Sequence, residues 1–321
     1  MTTSERWPAL PYAAWKDTKD TLHLWTQIVG KVRLALTPWL NHSWHVALYV
    51  SARGLTTGPI PYAEPAGTSG GLGEFEMEFD FIDHALMIRT SGDHTRQVLL
   101  RPTATKEFHG EVMKALRDLG IAVTIDPRPS EIPGAIPFNT DGVHASYDRD
   151  AAHTFWRALL ATHQVFTRFR TGFLGKASPV HFFWGSFDLA VTRFSGRTAP
   201  PHPGGVPGLS DDVACEAYSH EVSSAGFWPG GGGYDEAAFY SYAYPGPQGF
   251  ADARVKPQAA FWSKPLGEFL LPYEAVRTAR DPDAALMDFL VSTYEAAASL
   301  AKWDRKALEC AMGQPGQCRV V

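Results

Sequence analysis

The chain has 321 residues, of which 45% are hydrophobic and 20% are charged, a composition typical of a folded globular protein. At roughly 150 residues per domain, this length predicts two domains or one large domain. The net charge of −5 and the lack of a dense lysine and arginine run argue against a nucleic-acid-binding surface. No stretch approaches the ~18 apolar residues of a membrane span, and the first residues lack the apolar core of a signal peptide, so we expect a cytoplasmic protein without a membrane partner.

Cysteine usage fits the same compartment. The chain has three cysteines, Cys215, Cys310 and Cys318, and no CxxC pair. An odd number without close pairing argues against a disulfide framework and against a structural zinc site. We therefore predict no metal ligands among the cysteines, and we expect Cys215 to be a small buried residue rather than a nucleophile.

The first part of the chain alternates between helical and strand periodicity. Apolar residues recur at steps of three and four from Leu22 to Leu36, which predicts a helix that Pro38 ends. Strict alternation in EFEMEFDF predicts a strand, and Ser91-Gly92-Asp93 predicts the turn of a hairpin. The predicted elements are a helix over 18–36, a strand over 43–54, a loop over 57–73, a strand over 74–81, a hairpin over 86–100, a helix over 104–119 and a strand over 121–125.

After a proline-rich connector over 126–138, the second part of the chain repeats this order. The predicted elements are a helix over 150–173, a strand over 180–194, a Gly/Pro loop over 195–208, strands within 213–224, 237–244 and 267–273, and a helix from 282 to about 303. Gln27, Lys31 and Arg33 align with Gln164, Arg168 and Arg170 at one constant offset. The sequence therefore predicts an α+β fold of two related halves, 1–135 and 136–321. Each half has the order helix, antiparallel strands, helix. We expect the two to pack as a pseudo-symmetric pair, or to share one sheet, with a ligand pocket between them.

The densest polar region lies between residues 176 and 228 of the second half. Residues two apart on a strand share a face, so Glu216, Tyr218 and His220 are predicted to lie side by side. A carboxylate, a phenol and an imidazole together transfer protons near neutral pH. We predict His220 as general acid/base, Glu216 as the residue that orients it, Tyr218 as a hydrogen-bond donor and His181 as a further catalytic residue.

Residues that bind a substrate are predicted from the same region. Arg193 and Arg197 bracket the Gly/Pro loop, and paired guanidinium groups suit a carboxylate or a phosphate. Trp184 and Asp188 share one face of the strand over 180–194, whereas His181 and Arg193 share the other. The predicted substrate-binding residues are Arg193, Arg197, Trp184, Asp188, Trp228 and His202.

Simpler interpretations of these residues stay open. His181 beside aromatic residues fits a core histidine, and Asp188 and Arg193 fit a structural ion pair. A metal site is a further alternative, since His181, His202, His220 and Glu216 offer imidazole and carboxylate ligands, although their spacing matches no ligand motif. A third alternative is a non-catalytic protein that binds a small ligand.

Several segments resemble a known family. GKASPVHFFWGSFDLAVTRFSGRTAPPHP, EAYSHEVSSAGFWPG, FDFIDHAL and FLLPYEAVR resemble an uncharacterised bacterial domain-of-unknown-function family of about this length. The resemblance covers nearly the whole chain and implies a single full-length unit in the bacterial cytoplasm. It implies no activity, cofactor or site residue.

Our leading hypothesis from the residues is an enzyme that acts on a small anionic or polar molecule by His/Glu acid-base chemistry. The cofactor and the oligomeric state stay unknown at this point. The hypothesis requires that the strand with Tyr218 and the strand with Trp184 face a common cavity beside Arg197.

Overall fold

The computed structural model describes residues 6–63 and 71–319. Its helices are α1 (Tyr12–Leu36), α2 (Thr105–Asp118), α3 (Arg149–Thr171), α4 (Asp211–Ala217), α5 (Tyr273–Arg277), α6 (Pro282–Leu300) and α7 (Arg305–Leu308). Its strands are β1 (Tyr49–Val50), β2 (Gly54–Thr56), β3 (Ile60–Ala63), β4 (Leu72–Asp80), β5 (Ala85–Thr90), β6 (Thr95–Leu99), β7 (His181–Phe183), β8 (Asp188–Thr198), β9 (His220–Trp228), β10 (Ala238–Tyr244), β11 (Phe261–Ser263) and β12 (Glu268–Pro272). This mixture of helices and antiparallel strands is the predicted α+β class.

The strands form two antiparallel sheets. The first has the order β1-β2-β4-β5-β6, and β3 continues β2 along the same edge of β4. The second has the order β11-β12-β10-β9-β8-β7. The sheets meet at Leu48 and Phe182, whose backbone groups exchange hydrogen bonds of 2.8 and 2.7 Å.

Helix α1 lies in the interior of the protein. Every residue from Thr21 to Val32 is buried, including polar residues such as His23 and Gln27. A helix buried all round has no solvent-facing side for its polar groups, so these must find partners inside the protein. Two of them bind backbone groups beside the candidate site, as described below.

Helix ends follow from local sequence. The Asp148 carboxylate accepts a 2.9 Å hydrogen bond from the Ala151 amide at the start of α3, and Asp281 does the same for α6 at 3.0 Å. Pro282, which lacks the amide hydrogen that a first helical turn leaves unpaired, begins α6. The predicted starts of these two helices are therefore confirmed.

Other predicted elements are confirmed as well. The hairpin is β5 and β6, the second helix is α2, and the alternating segments became β4, β10 and β12. The proline-rich connector has no regular secondary structure. The predicted 57–73 loop falls partly outside the described residues, at 64–70, and its described part contains β3.

Some predicted strands were wrong. The predicted strand over 43–54 is mostly absent. A 3-10 turn at Asn41–Ser43 lies at its start, because His42 and Ser43 have left-handed backbone angles, and the first strand of the region is the short β1. The segment 180–194 is a hairpin rather than one strand, since the chain turns at 184–187 and Phe187 has a φ of 60°. Residues 121–125 pair with no strand in the described chain.

The apolar core runs continuously from the first sheet through α1 and α3 to the second sheet and α6. Both halves have the predicted order of helix, strands and helix, whereas their common origin and the division at residue 135 stay predictions. Among the residues described, no helix is long and apolar enough to cross a membrane.

Candidate functional site

A cavity of about 710 Å³ lies against one face of the second sheet. Asp188, Ala190, Thr192 and Phe194 alternate along β8 and line it, because every second residue of a strand points to the same side. Neighbouring strands β7, β9, β10 and β12 add residues in the same rows. The second sheet therefore supplies the floor of the cavity.

The opposite wall comes from α1, from the turn around His42 and from the connector. Lys19 and His23 project from α1, and Glu131 and Ile132 from the connector. The mouth of the cavity is formed by the lining residues that are exposed to solvent: Pro133, Ile136, Ser186, Gly232 and Leu266. Residues of both predicted halves thus enclose one space of the size usual for small-molecule sites.

Asp188 is the most buried acid of the cavity. One carboxylate oxygen accepts a 2.7 Å hydrogen bond from Ser186 Oγ, and the other accepts from the Tyr240 hydroxyl. Tyr240 lies on β10, with β9 between it and Asp188, and its ring occupies the place that a side chain at Gly226 would take. Burial raises the pKa of Asp188, while these two hydrogen bonds act in the opposite direction.

Glu131 reaches the cavity from a strained backbone. Its φ is +61°, a left-handed value that residues with a side chain rarely adopt, and its amide donates a 2.7 Å hydrogen bond to the Pro207 carbonyl. Its carboxyl group lies against Gly185, where a Cβ would overlap it. Burial and, second, the charge of nearby Asp188 raise the pKa of Glu131 to about 7.

Two buried residues of α1 bind the backbone around the Glu131 carboxyl group. The Gln27 side-chain carbonyl accepts a 2.7 Å hydrogen bond from the Ser130 amide, and its amide donates one of 2.9 Å to the Ser130 carbonyl. His23 Nε2 lies 2.8 Å from the Gly185 carbonyl, and burial lowers the pKa of His23 to about 3, so it is neutral and donates there. These contacts fix the backbone on both sides of the Glu131 carboxyl group.

Glu268 and three tyrosines complete the acidic part of the cavity. Burial and the charge of Asp188 raise the pKa of Glu268 to about 7. The Tyr218 and Tyr242 hydroxyls are 2.8 Å apart, and burial raises the pKa of both phenols. Besides Asp20, three carboxyl groups and three phenols therefore face one space.

Charge in the cavity is unbalanced. Lys19 is the one lysine or arginine among the described lining residues, and its ammonium lies 3.4 Å from Asp20. Burial lowers the pKa of Lys19. Glu131, Asp188 and Glu268 have no ion pair with any residue that the structure describes.

The other part of the cavity is aromatic. The His42 ring packs at a tilt against the rings of Phe194 and Trp44, with centroid distances of 4.6 and 5.2 Å. Phe183 lies 4.4 Å from His181 in an edge-to-face arrangement. These five rings form a wall that suits a planar apolar group.

His181 is unusual within this wall. It is fully buried, and neither ring nitrogen has a hydrogen-bond partner among the described residues. Burial lowers the pKa of His181 to about 3, so the imidazole is neutral. An unsatisfied buried polar group costs about 1–3 kcal/mol unless something else binds it.

Four of the predicted site residues line the cavity: His181, Asp188, Tyr218 and Trp228. The requirement of a common cavity is met for Tyr218 but not for Trp184. Trp184 packs its ring on Gly30 of α1, and its Nε1 donates a 2.8 Å hydrogen bond to the Val46 carbonyl. His202 stacks on the ring of Tyr218 at 4.6 Å and is not a lining residue.

The predicted strand face with Glu216, Tyr218 and His220 was wrong. Glu216 belongs to α4, Tyr218 follows that helix, and His220 begins β9. The Glu216 carboxylate accepts a 2.9 Å hydrogen bond from the His42 amide, whereas His220 Nδ1 lies 3.1 Å from Ser219 Oγ. Acids at 211 and 212 in the first turn favour the helix, which a period-two interpretation overlooks.

The two arginines do not face the cavity. Arg193 lies on the opposite face of β8 from Asp188, so they form no ion pair. Its guanidinium stacks 3.6 Å from the Phe169 ring centroid. Arg197 pairs with Glu221 at 2.6 Å and donates a 2.7 Å hydrogen bond to the Ala301 carbonyl beyond α6. Both make structural contacts, and their predicted binding of an anion stays untested.

The sequence interpretation missed Glu131, Glu268 and Tyr240. Glu131 stands in a segment whose prolines indicate only a connector. Tyr240 and Tyr242 are two residues apart on one predicted strand, so they share a face of it, and Glu268 lies near the start of another predicted strand. This spacing was the one signal in the sequence for a polar strand face at these residues. Their convergence with Asp188 depends on strand order, which local periodicity does not give.

The residues considered as metal ligands do not converge. Across residues 6–63 and 71–319, no group of three or more His, Cys, Asp or Glu is placed to hold a metal ion. His202 lies beside Tyr218, and Glu216 lies beside His42.

Comparisons with known proteins place the chain in a family. Neither the curated proteins nor the solved structures include a match to this chain. A family model described as a family of unknown function (DUF5996) matches residues 7–310, which is nearly the whole chain. The chain therefore belongs to the DUF5996 family.

Proposed function

We propose that the chain is an enzyme that acts on a small polar molecule, with the carboxyl groups of Glu131 and Asp188 as its proton-transfer groups. The observation that carries the proposal is the placement of Glu131, with a pKa of about 7, beside Asp188 in a cavity of ligand size. A carboxyl group that is half protonated near neutral pH both donates and accepts protons. Strongly shifted acids in a cavity are a common property of catalytic sites.

The supporting residues give each group a role. Asp188 is held by Ser186 and Tyr240, so its orientation is fixed before a ligand arrives. Glu131 is held by its strained backbone and by the contacts of Gln27 with Ser130. Tyr240 and Tyr242 supply hydroxyl donors beside the carboxyl groups.

This proposal keeps acid-base chemistry and changes its residues. Glu131 takes the proton-transfer role that the sequence hypothesis gave to His220. His181 stays in the proposal as a neutral hydrogen-bonding group, since its low pKa makes it a weak base. The acidic lining favours a neutral or cationic molecule over an anionic one.

The proposal is tested by following the consumption of a defined mixture of sugars, polyols, amines and amides by mass spectrometry. We expect the wild type to consume at least one compound, and Glu131→Gln and Asp188→Asn to lower that rate about 100-fold or more. Glu74→Gln, on an exposed position of β4, is the control and should keep the wild-type rate. Full turnover in both cavity variants, or no turnover of any compound, would contradict the proposal.

We also propose that the two halves arose by duplication, as the sequence alignment of Gln27, Lys31 and Arg33 with the second half predicts. The support is the common order of elements and the antiparallel pairing of Leu48 with Phe182. Leu48 directly precedes the first strand of its half, and Phe182 lies within the first strand of the other. Related sequences in which the alignment at this offset disappears would contradict it.

A further inference from the structure

The cavity has two chemically different parts that lie close together. Carboxyl groups form one part, and the rings of His42, Trp44, Phe194, Phe183 and His181 form the other. His181 pairs across the sheet with Ala190, which makes Asp188 its diagonal neighbour at about 7–8 Å. A molecule that touches both parts therefore needs a ring and a polar group separated by a short chain.

The acidic part lacks a positive charge. Lys19 is already paired with Asp20, and no other lysine or arginine is among the described residues that line the cavity. The raised pKa values of Glu131 and Glu268 express the same deficit, because burial and a neighbouring carboxylate both disfavour ionisation. A bound cation would supply the missing charge.

The aromatic part lacks a hydrogen-bonding partner. Both ring nitrogens of His181 are buried and unpaired in the described protein, and His181 is one of the residues that line the cavity. Its cross-strand partner on the cavity floor, Ala190, is small and leaves room beside the imidazole. A ring that carries a polar atom at its edge would satisfy the imidazole.

We propose that the cavity binds an arylalkylamine, with its ammonium group among Glu131, Asp188 and Glu268 and its polar heteroaromatic ring against His181. The proposal rests on the cavity of the proposed function, but it does not require that Glu131 or Asp188 transfer a proton. It names the ligand class of that site: a planar ring, a chain of about two carbons and a protonated nitrogen.

The test measures binding of three matched probes to the purified chain by isothermal titration calorimetry at pH 7.5. Tryptamine is the cation, tryptophol is its neutral counterpart and indole-3-acetate is the anion. We expect tryptamine to bind at least tenfold more tightly than the other two. Tighter or equal binding of indole-3-acetate, or no binding of tryptamine at millimolar concentration, would overturn the proposal.

Variants locate the two contacts. Glu131→Gln and Asp188→Asn should each lower the affinity for tryptamine about tenfold and leave tryptophol unchanged, while Glu74→Gln should change neither. His181→Phe should lower the affinity for tryptamine at least fivefold but leave 2-phenylethylamine unchanged, since the phenyl ring has no polar edge. A charge preference that persists in both acidic variants would place the cation elsewhere and refute the assignment.

The outcomes separate this inference from the proposed function. A preference for tryptamine that the acidic variants abolish, without turnover of any compound, supports the ligand class and rejects the catalytic role. Turnover of a neutral compound that depends on Asp188, without a preference for the cation, does the reverse. Folding of each variant is checked by its urea unfolding curve, so that lost binding is not mistaken for unfolding.

Discussion

Gly226 lies beneath the ring of Tyr240, and the phenol reaches Asp188 because no Cβ stands in its way. The absence of a Cβ has the same effect at Gly185, where it lets the Glu131 carboxyl group approach the backbone. The sequence shows these glycines, but it does not show which side chain fills the space that each leaves. That information comes from the pairing of β8 with β9 and of β9 with β10.

Gly226→Ala should destabilise the protein by about 2–3 kcal/mol, because the new methyl group overlaps the Tyr240 ring and separates it from Asp188. Urea unfolding measures the change. Gly110→Ala is the matched control: its Cβ enters open space on α2, where alanine should stabilise by up to about 1 kcal/mol. Equal effects of the two substitutions would show that Tyr240 has room to move.

Glu131→Gln should change how stability depends on pH. The pKa of Glu131 is about 7 in the folded protein against 4.5 as its ordinary value, so the folded state holds an extra proton between these pH values. This group therefore lowers the stability of the wild type as pH rises from 4.5 to 7. The glutamine variant should be more stable than the wild type by about 1–3 kcal/mol at pH 8 and nearly equal at pH 4.

Urea unfolding at the two pH values measures that difference. Glu74→Gln should show no such dependence, since Glu74 is exposed to solvent. A stability difference between Glu131→Gln and wild type that stays constant from pH 4 to pH 8 would mean that the Glu131 carboxyl group titrates normally.

At the scale of elements, the connector shows what periodicity cannot reveal. Its prolines correctly predict a segment without helix or strand, and they give no indication that Glu131 enters a cavity. The position of the connector depends on Gln27, a polar residue on a helix that is buried all round at this point. A buried polar residue in such a helix needs a partner, yet its sequence does not name the partner.

Gln27→Ala should destabilise the protein by about 2–4 kcal/mol, since it leaves a cavity and two unsatisfied backbone groups at Ser130. Urea unfolding measures the loss, and hydrogen exchange of the Ser130 amide should become faster. Gln97→Ala on the exposed edge strand β6 should stay within about 0.5 kcal/mol of wild type. Unchanged exchange at Ser130 would contradict the role given to Gln27.

The helices were the most predictable elements, because caps such as Asp148 and Asp281 and long apolar stripes define them locally. The hairpin of β7 and β8 was not predictable in this way. Its turn contains one glycine, and Phe187 adopts its left-handed angle only because the surrounding core encloses its ring. The pattern of 180–194 is therefore the same for one long strand as for two short ones.

At the scale of the whole molecule, two kinds of buried group oppose each other in acid. His181 and His23 have pKa values of about 3 in the folded protein, against 6.5 as their ordinary value, so their contribution to stability is lost as pH falls below 6.5. Glu131 and Glu268 stabilise the folded state over part of the same range as they take up protons. The four contributions largely offset one another between pH 6.5 and 4.5.

His181→Phe should remove the loss of stability in acid that His181 causes. We expect the stability of the variant relative to wild type to increase by about 2–3 kcal/mol between pH 7 and pH 4, because at pH 4 the imidazole is protonated in the unfolded wild type but stays neutral in the folded protein. Thermal or urea unfolding at both pH values measures the change. A variant whose stability falls in parallel with the wild type would show that His181 is protonated without cost.

The backbone bridge between Leu48 and Phe182 constrains how a molecule gets in and out of the protein. Because the two sheets are hydrogen-bonded there and share one apolar core, a hinge motion that separates the sheets would break both sets of contacts. A ligand therefore enters and leaves through the mouth of the cavity, where Gly230 to Gly233 all have positive φ and Pro133 is exposed. A substitution that makes the backbone of the mouth more rigid should slow ligand exchange more than one far from the cavity.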